Sequence, residues 1–176
     1  MLLLLGGFTV TAHEAADPLL HEQLQELQYA ADYLAYFELP EPKLEPFMWP
    51  VRGRISSQFG WRNVSVGGNR NHGGIDIVAS QGTAVAASRS GTVSFSGWNG
   101  AYGYVVYLDH ADGTQTRYAH LSAYFVGAGQ TVRQGETVGL VGSTGASTGP
   151  HLHFEIRVGG VAVDPLPILR AADEGR

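Results

Sequence analysis

Cysteine is absent from this chain. That excludes disulfides, zinc–thiolate sites and cysteine nucleophiles together, and leaves histidine and carboxylates as the available metal ligands. Lysine is nearly absent as well, with Lys43 the one copy. Net charge is −5 and no Lys/Arg cluster occurs, so there is no basic surface for nucleic acid. Charged residues of either sign make up only 15% of the chain against 44% apolar ones, which excludes a disordered chain. The apolar start, MLLLLGGFTV, runs for about ten residues, where a bilayer span takes about 20. Residues 1–16 resemble the apolar core of a secretory signal or an anchor remnant, without the positive charges that usually precede one. That reading makes the protein exported, periplasmic or associated with the cell envelope.

What is present falls into distinct stretches. Residues 17–38 are predicted as an amphipathic helix: Asp17 can cap it, Pro18 suits the first helical position, and Leu20, Leu24, Leu27, Ala31 and Leu34 form a stripe. Such a helix packs on its own domain, or serves as a membrane tether or a docking site for a partner protein. Residues 39–50 carry Pro40, Pro42, Pro46 and Pro50, a density that forbids helix and predicts an extended linker. Phe47, Met48 and Trp49 are too apolar for a free linker and are expected to lie along the domain that begins at Val51. There the texture changes to short β-prone runs separated by glycine-bearing turns, with HADGT (His110 to Thr114) as a hairpin turn centred on Asp112-Gly113. The expectation is a mainly β, antiparallel domain over 51–166 behind a short N-terminal helix, with 167–176 as a tail.

Seven histidines are available. His13 and His21 lie in the N-terminal appendage and read as surface residues, and His110 reads as a packed or surface residue at a turn. In NHGGID, His72 and Asp76 are four apart, so an extended segment would place both on one face, with Gly73 and Gly74 leaving the backbone room. In GPHLHFEIR, His151 and His153 share a face by the same alternation, while Leu152 and Phe154 face the core. Burying several unsatisfied imidazoles is costly, and a shared metal would account for the cluster. A zinc hydrolase needs three protein ligands and an open position, plus groups that move protons and stabilise an oxyanion. His72, Asp76, His120, His151 and His153 supply that count, and spacing does not say which histidine does which job.

HGGIDI, YAHLS and GPHLHFEIR, in this order, resemble the lysostaphin-type (LytM-type) zinc metallopeptidases, whose pattern is HxGxD, a lone histidine, then HxH. SSQFGWR upstream and the run GETVGLVGSTGASTGPHLHFE add to the likeness, which covers about Val51 to Pro165. The resemblance implies a two-sheeted antiparallel β-domain with a catalytic groove floored by the larger sheet. It implies one Zn2+ per chain on His72, Asp76 and His153, with His120 and His151 as general base and transition-state stabiliser. It implies peptide cross-links of bacterial peptidoglycan as substrate. Asn71 and Ser147 are expected to rim the groove and Tyr118 to contact substrate, with a buried strand tyrosine as the alternative reading of Tyr118. Arg62 is expected to orient a ligand or to form a surface ion pair. Trp98, Tyr102 and Tyr104 either shape substrate access or only pack.

Two rivals come from other classes. One is a non-catalytic module of the same fold that binds cell wall or activates an amidase. The other is a structural zinc domain, which would need a closed site of four ligands. The filled positions at 72, 76, 120, 151 and 153 favour the enzyme.

Overall fold

The computed structural model describes residues 18–37, 45–66 and 69–174. The chain divides into two compact units, residues 1–43 and 44–176. In the first, α1 (Pro18–Phe37) spans 20 residues, within one residue of the predicted helix at each end. Leu24 and Leu27, on its apolar stripe, are exposed. The Asp17 cap, the signal-like residues 1–16 and linker residues 38–44 lie outside the described residues.

In the second unit the strands run, in chain order, β1 (Arg54–Ser57), β2 (Gly60–Val66), β3 (Asn69–His72), β4 (Ile75–Val78), β5 (Ala84–Ala86) and β6 (Gly91–Trp98). They continue as β7 (Tyr104–Asp109), β8 (Thr114–Tyr124), β9 (Thr131–Val132), β10 (Thr137–Val141), β11 (His151–Val158) and β12 (Val161–Val163), and the helix α2 (Pro165–Glu174) closes the unit. All pairings are antiparallel. The large sheet has the order β1-β4-β11-β8-β7-β6-β9, with β10 also on β8, β5 on β10 and β12 on β11; β2 and β3 form a separate pair. The HADGT turn joins β7 to β8, with His110 N–H donating to the Thr114 carbonyl at 2.9 Å and Gly113 at a φ of 76°.

Alternation along the central strands sorts the side chains. On one face of β4 and β11, Ile75 pairs with Phe154 and Ile77 with Leu152, and all four are fully buried. Tyr118 and Leu121 of β8, Val106 and Leu108 of β7, and Val138 and Val141 of β10 join the same core. Each such side chain contributes roughly 1.5–3 kcal/mol by leaving water. The opposite face of β11 carries His151, His153, Glu155 and Arg157, so the strand that anchors the core also presents the polar site.

Two boundaries differ from the sequence expectation. Residues 167–174 are no tail: they belong to α2, whose Leu166, Leu169 and Ala172 are buried. Pro165 and Pro167 sit in the first turn, where a missing N–H costs nothing. Residues 45–50, inside the expected linker, are part of the domain, as expected for the apolar Phe47, Met48 and Trp49. Met48 N–H donates to the Ser88 carbonyl at 2.8 Å, Ala86 N–H to the Pro50 carbonyl at 2.9 Å, and Phe47 and Val51 are buried in the core.

Candidate metal centre

His72 and Asp76 do meet, but not through the alternation of one strand. His72 ends β3 in the small sheet, Asp76 lies in β4 of the large one, and the chain turns between them at Gly73–Gly74. A Cβ on Gly74 would lie 2.1 Å from the Phe154 carbonyl oxygen, so glycine alone allows β4 to lie against β11 there. β11 then sets His153 directly opposite Asp76 in register.

Three ligand atoms converge. His72 Nε2 lies 3.0 Å from Asp76 Oδ1, His153 Nδ1 lies 2.9 Å from the same oxygen, and the two ring nitrogens are 2.9 Å apart. The outer nitrogens are committed elsewhere. His72 Nδ1 donates to the Gln58 carbonyl at 2.7 Å, and His153 Nε2 donates to Glu155 Oε1 at 3.1 Å. In the neutral tautomers so fixed, the inner nitrogens both present lone pairs, and they face each other across a carboxylate. Only a cation or extra protons can sit stably between them. For bonds of ~2.0–2.1 Å the ligand separation in a tetrahedral site is ~3.3 Å, close to what these atoms show. Two imidazoles and a carboxylate, with outer hydrogen bonds holding each ring, make a zinc-type donor set.

The electrostatics agree. Burial works against ionisation of Asp76, but the hydrogen bonds that His153 and His72 donate when their inner nitrogens carry a proton outweigh it and hold the carboxyl far below its usual range. Arg62 Nη1 adds a positive charge 3.5 Å from Asp76 Oδ2. Burial pushes His153 down, yet its bonds to Asp76 and Glu155 raise it overall, so protons compete with metal for this ring.

Two further histidines flank the trio. His151 Nδ1 donates to the Gly149 carbonyl at 2.8 Å, and its Nε2 lies 3.7 Å from Asp76 Oδ1. His120 Nδ1 donates to the Thr144 carbonyl at 2.7 Å, and its ring centroid is 4.7 Å from that of His151. Both rings therefore keep Nε2 free to act as a proton acceptor. Burial pushes His120 down to about 4, so it is neutral at neutral pH. His120 reaches this face through a bulge. Tyr104 pairs with Leu121 and Val106 with Tyr118, so β8 holds one extra residue there, and His120 takes the left-handed φ of 59°. Without that break, His120 and Tyr118 would share a face.

Tyr118 is accordingly a core residue, which corrects the expectation that it contacts substrate. It is fully buried against Phe154, and its hydroxyl accepts the Ser88 N–H at 2.8 Å and bonds Thr116 Oγ1 at 2.9 Å. Thr116 Oγ1 meets His110 Nε2 at 2.9 Å, so His110 is a satisfied core histidine. Ser147 Oγ donates to the Gly149 carbonyl at 2.9 Å and lies 3.4 Å from His151 Nδ1, which places it behind His151. Asn71 is exposed on β3 beside His72. Trp98 and Tyr104 are exposed and meet edge to face, 5.4 Å between centroids. Tyr102 instead donates to Glu155 Oε1 at 2.7 Å. Sequence reasoning missed Glu155, Gln58 and Thr144. Glu155 alone left a signal, as a carboxylate in step with His151 and His153 on one face of β11.

Known proteins share this fold. Residues 70–165 match the family model described as Peptidase family M23. A DD-carboxypeptidase/endopeptidase, Mpg, of Neisseria meningitidis serogroup B is 48% identical over 126 residues, which cover 71% of this chain and 28% of the relative. The murein hydrolase activator EnvC of Escherichia coli is 38% identical over 131 residues, 74% of this chain and 30% of the relative. The chain thus spans under a third of either curated relative. Among solved structures, the catalytic domain of lysostaphin from Staphylococcus simulans superposes with a TM-score of 0.64 at 35% identity, covering 67% of this chain and 92% of that one. A zinc containing peptidase from Vibrio cholerae gives a TM-score of 0.64 at 34% identity, covering 69% of this chain and 39% of that one.

Proposed function

Because the chain belongs to peptidase family M23, we propose that it is a zinc-dependent endopeptidase hydrolysing the peptide cross-links of bacterial peptidoglycan. The observation that carries this is the site itself: three inward lone-pair atoms within 4.8 Å of one another, flanked by two histidines whose Nε2 atoms are free. His72, Asp76 and His153 would hold the ion. When bound, zinc supplies Lewis-acid chemistry, lowering the pKa of water at the site toward ~7 and polarising a carbonyl.

The chain's own residues do the rest. Asp76 contributes charge, and Gln58 and Glu155 keep both ligand imidazoles in the tautomer that faces inward. His120, neutral through burial, accepts the proton of the attacking water at Nε2. His120 then passes that proton to the leaving amine, while His151, held by Gly149 and carrying a proton taken from solvent at Nε2, hydrogen-bonds the developing oxyanion. Asn71, exposed on β3 beside His72, would contact the peptide, and Ser147 would act through His151.

The names of the bacterial relatives support peptidoglycan as the substrate and an exported, envelope-associated setting. No described helix is long and apolar enough to cross a membrane, and the exposed leucines of α1 support that helix as a docking surface for a partner. Likeness to a hydrolase activator favours a second reading, a non-catalytic module. The complete set of ligands and histidines speaks for the enzyme. Digesting purified cross-linked peptidoglycan with zinc-loaded protein, and reading the fragments by mass spectrometry, tests this. Loss of cross-linked dimers with wild type but not with His120→Ala or a chelated sample is expected. Intact dimers with folded, zinc-loaded wild type would leave the activator reading.

A further inference from the structure

Glu155 is 1% exposed, the most deeply buried carboxylate among the described residues, and reaches the chemistry above only through His153. Burying a carboxylate is expensive unless its oxygens are fully engaged. Here they are. Oε1 accepts from His153 Nε2 at 3.1 Å and from the Tyr102 hydroxyl at 2.7 Å. Oε2 accepts from Arg157 Nη1 at 2.8 Å, with Arg117 Nη1 at 3.8 Å.

The same carboxylate touches the other half of the site. A Cβ on Gly73 would lie 2.9 Å from Glu155 Oε1, and one on Gly74 would lie 3.0 Å from its Cγ. Gly73–Gly74 is the bend that carries the chain from His72 to Asp76. Glu155 therefore contacts the segment joining two ligands and hydrogen-bonds the third.

We infer that Glu155 is a positioning residue: it fixes His153 as the tautomer with its Nδ1 lone pair turned inward, and it supports the Gly73–Gly74 bend that sets His72 against Asp76. Arg157, Arg117 and Tyr102 keep its oxygens in place. An acceptor behind a ligand imidazole holds ring orientation and raises ligand basicity, so its loss weakens the metal rather than the fold. The inference rests on the zinc reading above.

Metal affinity tests it directly. Metal-stripped wild type, Glu155→Gln and Glu155→Ala proteins are titrated with zinc against a chromophoric chelator, and loaded with cobalt(II) for visible spectra. Glu155→Gln preserves shape and an acceptor oxygen but removes the charge. A zinc Kd raised ~10–100-fold, with shifted cobalt bands and an unchanged far-UV circular dichroism spectrum, is expected. Folded variants whose zinc Kd stays within about twofold of wild type would overturn the inference and leave the zinc reading standing. Wild type that binds no zinc would overturn both. Should neither variant fold, nitrogen-resolved NMR of zinc-loaded wild type decides. A slowly exchanging proton on His153 Nε2 supports the role, and a proton on Nδ1 overturns it.

Discussion

Asp76 and His153 face each other as direct partners across adjacent antiparallel strands, their ligand atoms 2.9 Å apart. Direct cross-strand partners are the shortest contacts a sheet can make, so backbone pairing alone preassembles half of the metal site. Removing the charge from this pair leaves the sheet intact and takes away the cation's main attraction. Asp76→Asn is expected to keep its circular dichroism spectrum and to lose the zinc-dependent rise in melting temperature. In wild type, zinc at a hundredfold over its Kd adds ~2.7 kcal/mol of stability. Scanning fluorimetry with and without zinc checks this, and an equal rise in both proteins would contradict it.

His120 ties stability to pH. Its folded pKa of about 4 lies below the ~6.5 of free imidazole. Between those values the unfolded chain binds a proton that folded His120 refuses, so stability rises with pH across this window and gains nothing from His120 above it. His110, also lowered by burial, acts in the same direction. Urea midpoints measured without metal should fall between about pH 6.5 and pH 4.5, and less steeply in His120→Gln than in wild type. As a base, His120 is already neutral at about pH 6, so the acid limb of activity should follow protonation of the metal ligands and shift with zinc concentration.

The backbone at His120 predicts an inversion of the usual order of substitutions. At a φ of 59° a Cβ is strained by about 1 kcal/mol, and glycine is not. His120→Gly should therefore be more stable than His120→Ala by ~1 kcal/mol, while both lose ~10²–10⁴-fold in turnover. Denaturant unfolding of the two proteins settles it; alanine as the more stable would argue against the bulge.

Tyr118→Phe separates core from groove. It orphans the buried Ser88 N–H and should cost ~1–3 kcal/mol of stability. KM for a peptide substrate should not change, because the hydroxyl faces Ser88 and Thr116. A raised KM at unchanged stability would return Tyr118 to the groove.

How far the sequence can be read depends on the kind of contact. Alternation in HLHFEIRV predicts which residues of β11 face the core, because side-chain direction there follows backbone geometry alone. The spacing of His72 and Asp76 predicts their meeting for the wrong reason: a bend between two sheets brings together what a straight strand was expected to align. His120 defeats alternation altogether, since the bulge arises from the register of β8 against β7, which no local pattern encodes. Helix α2 begins at Pro165 and takes in most of the expected tail, with Pro165 and Pro167 standing in its first turn, where a helix tolerates them. Glu155 escapes notice because a glutamate on the polar face of an alternating strand is expected in solvent, whereas here it is buried.

Trp49 donates from Nε1 to Asp173 Oδ2 at 2.8 Å, fastening the start of the second unit to its last helix. Its entrance and its exit are therefore neighbours. A body with adjoining ends can be spliced into, or appended to, other polypeptides without stretching its frame, since whatever it is joined to attaches at one small spot. The site has no share in that junction: its groups come from strands and turns well inside the unit. Architecture around such a cassette is free to vary while the chemistry stays put.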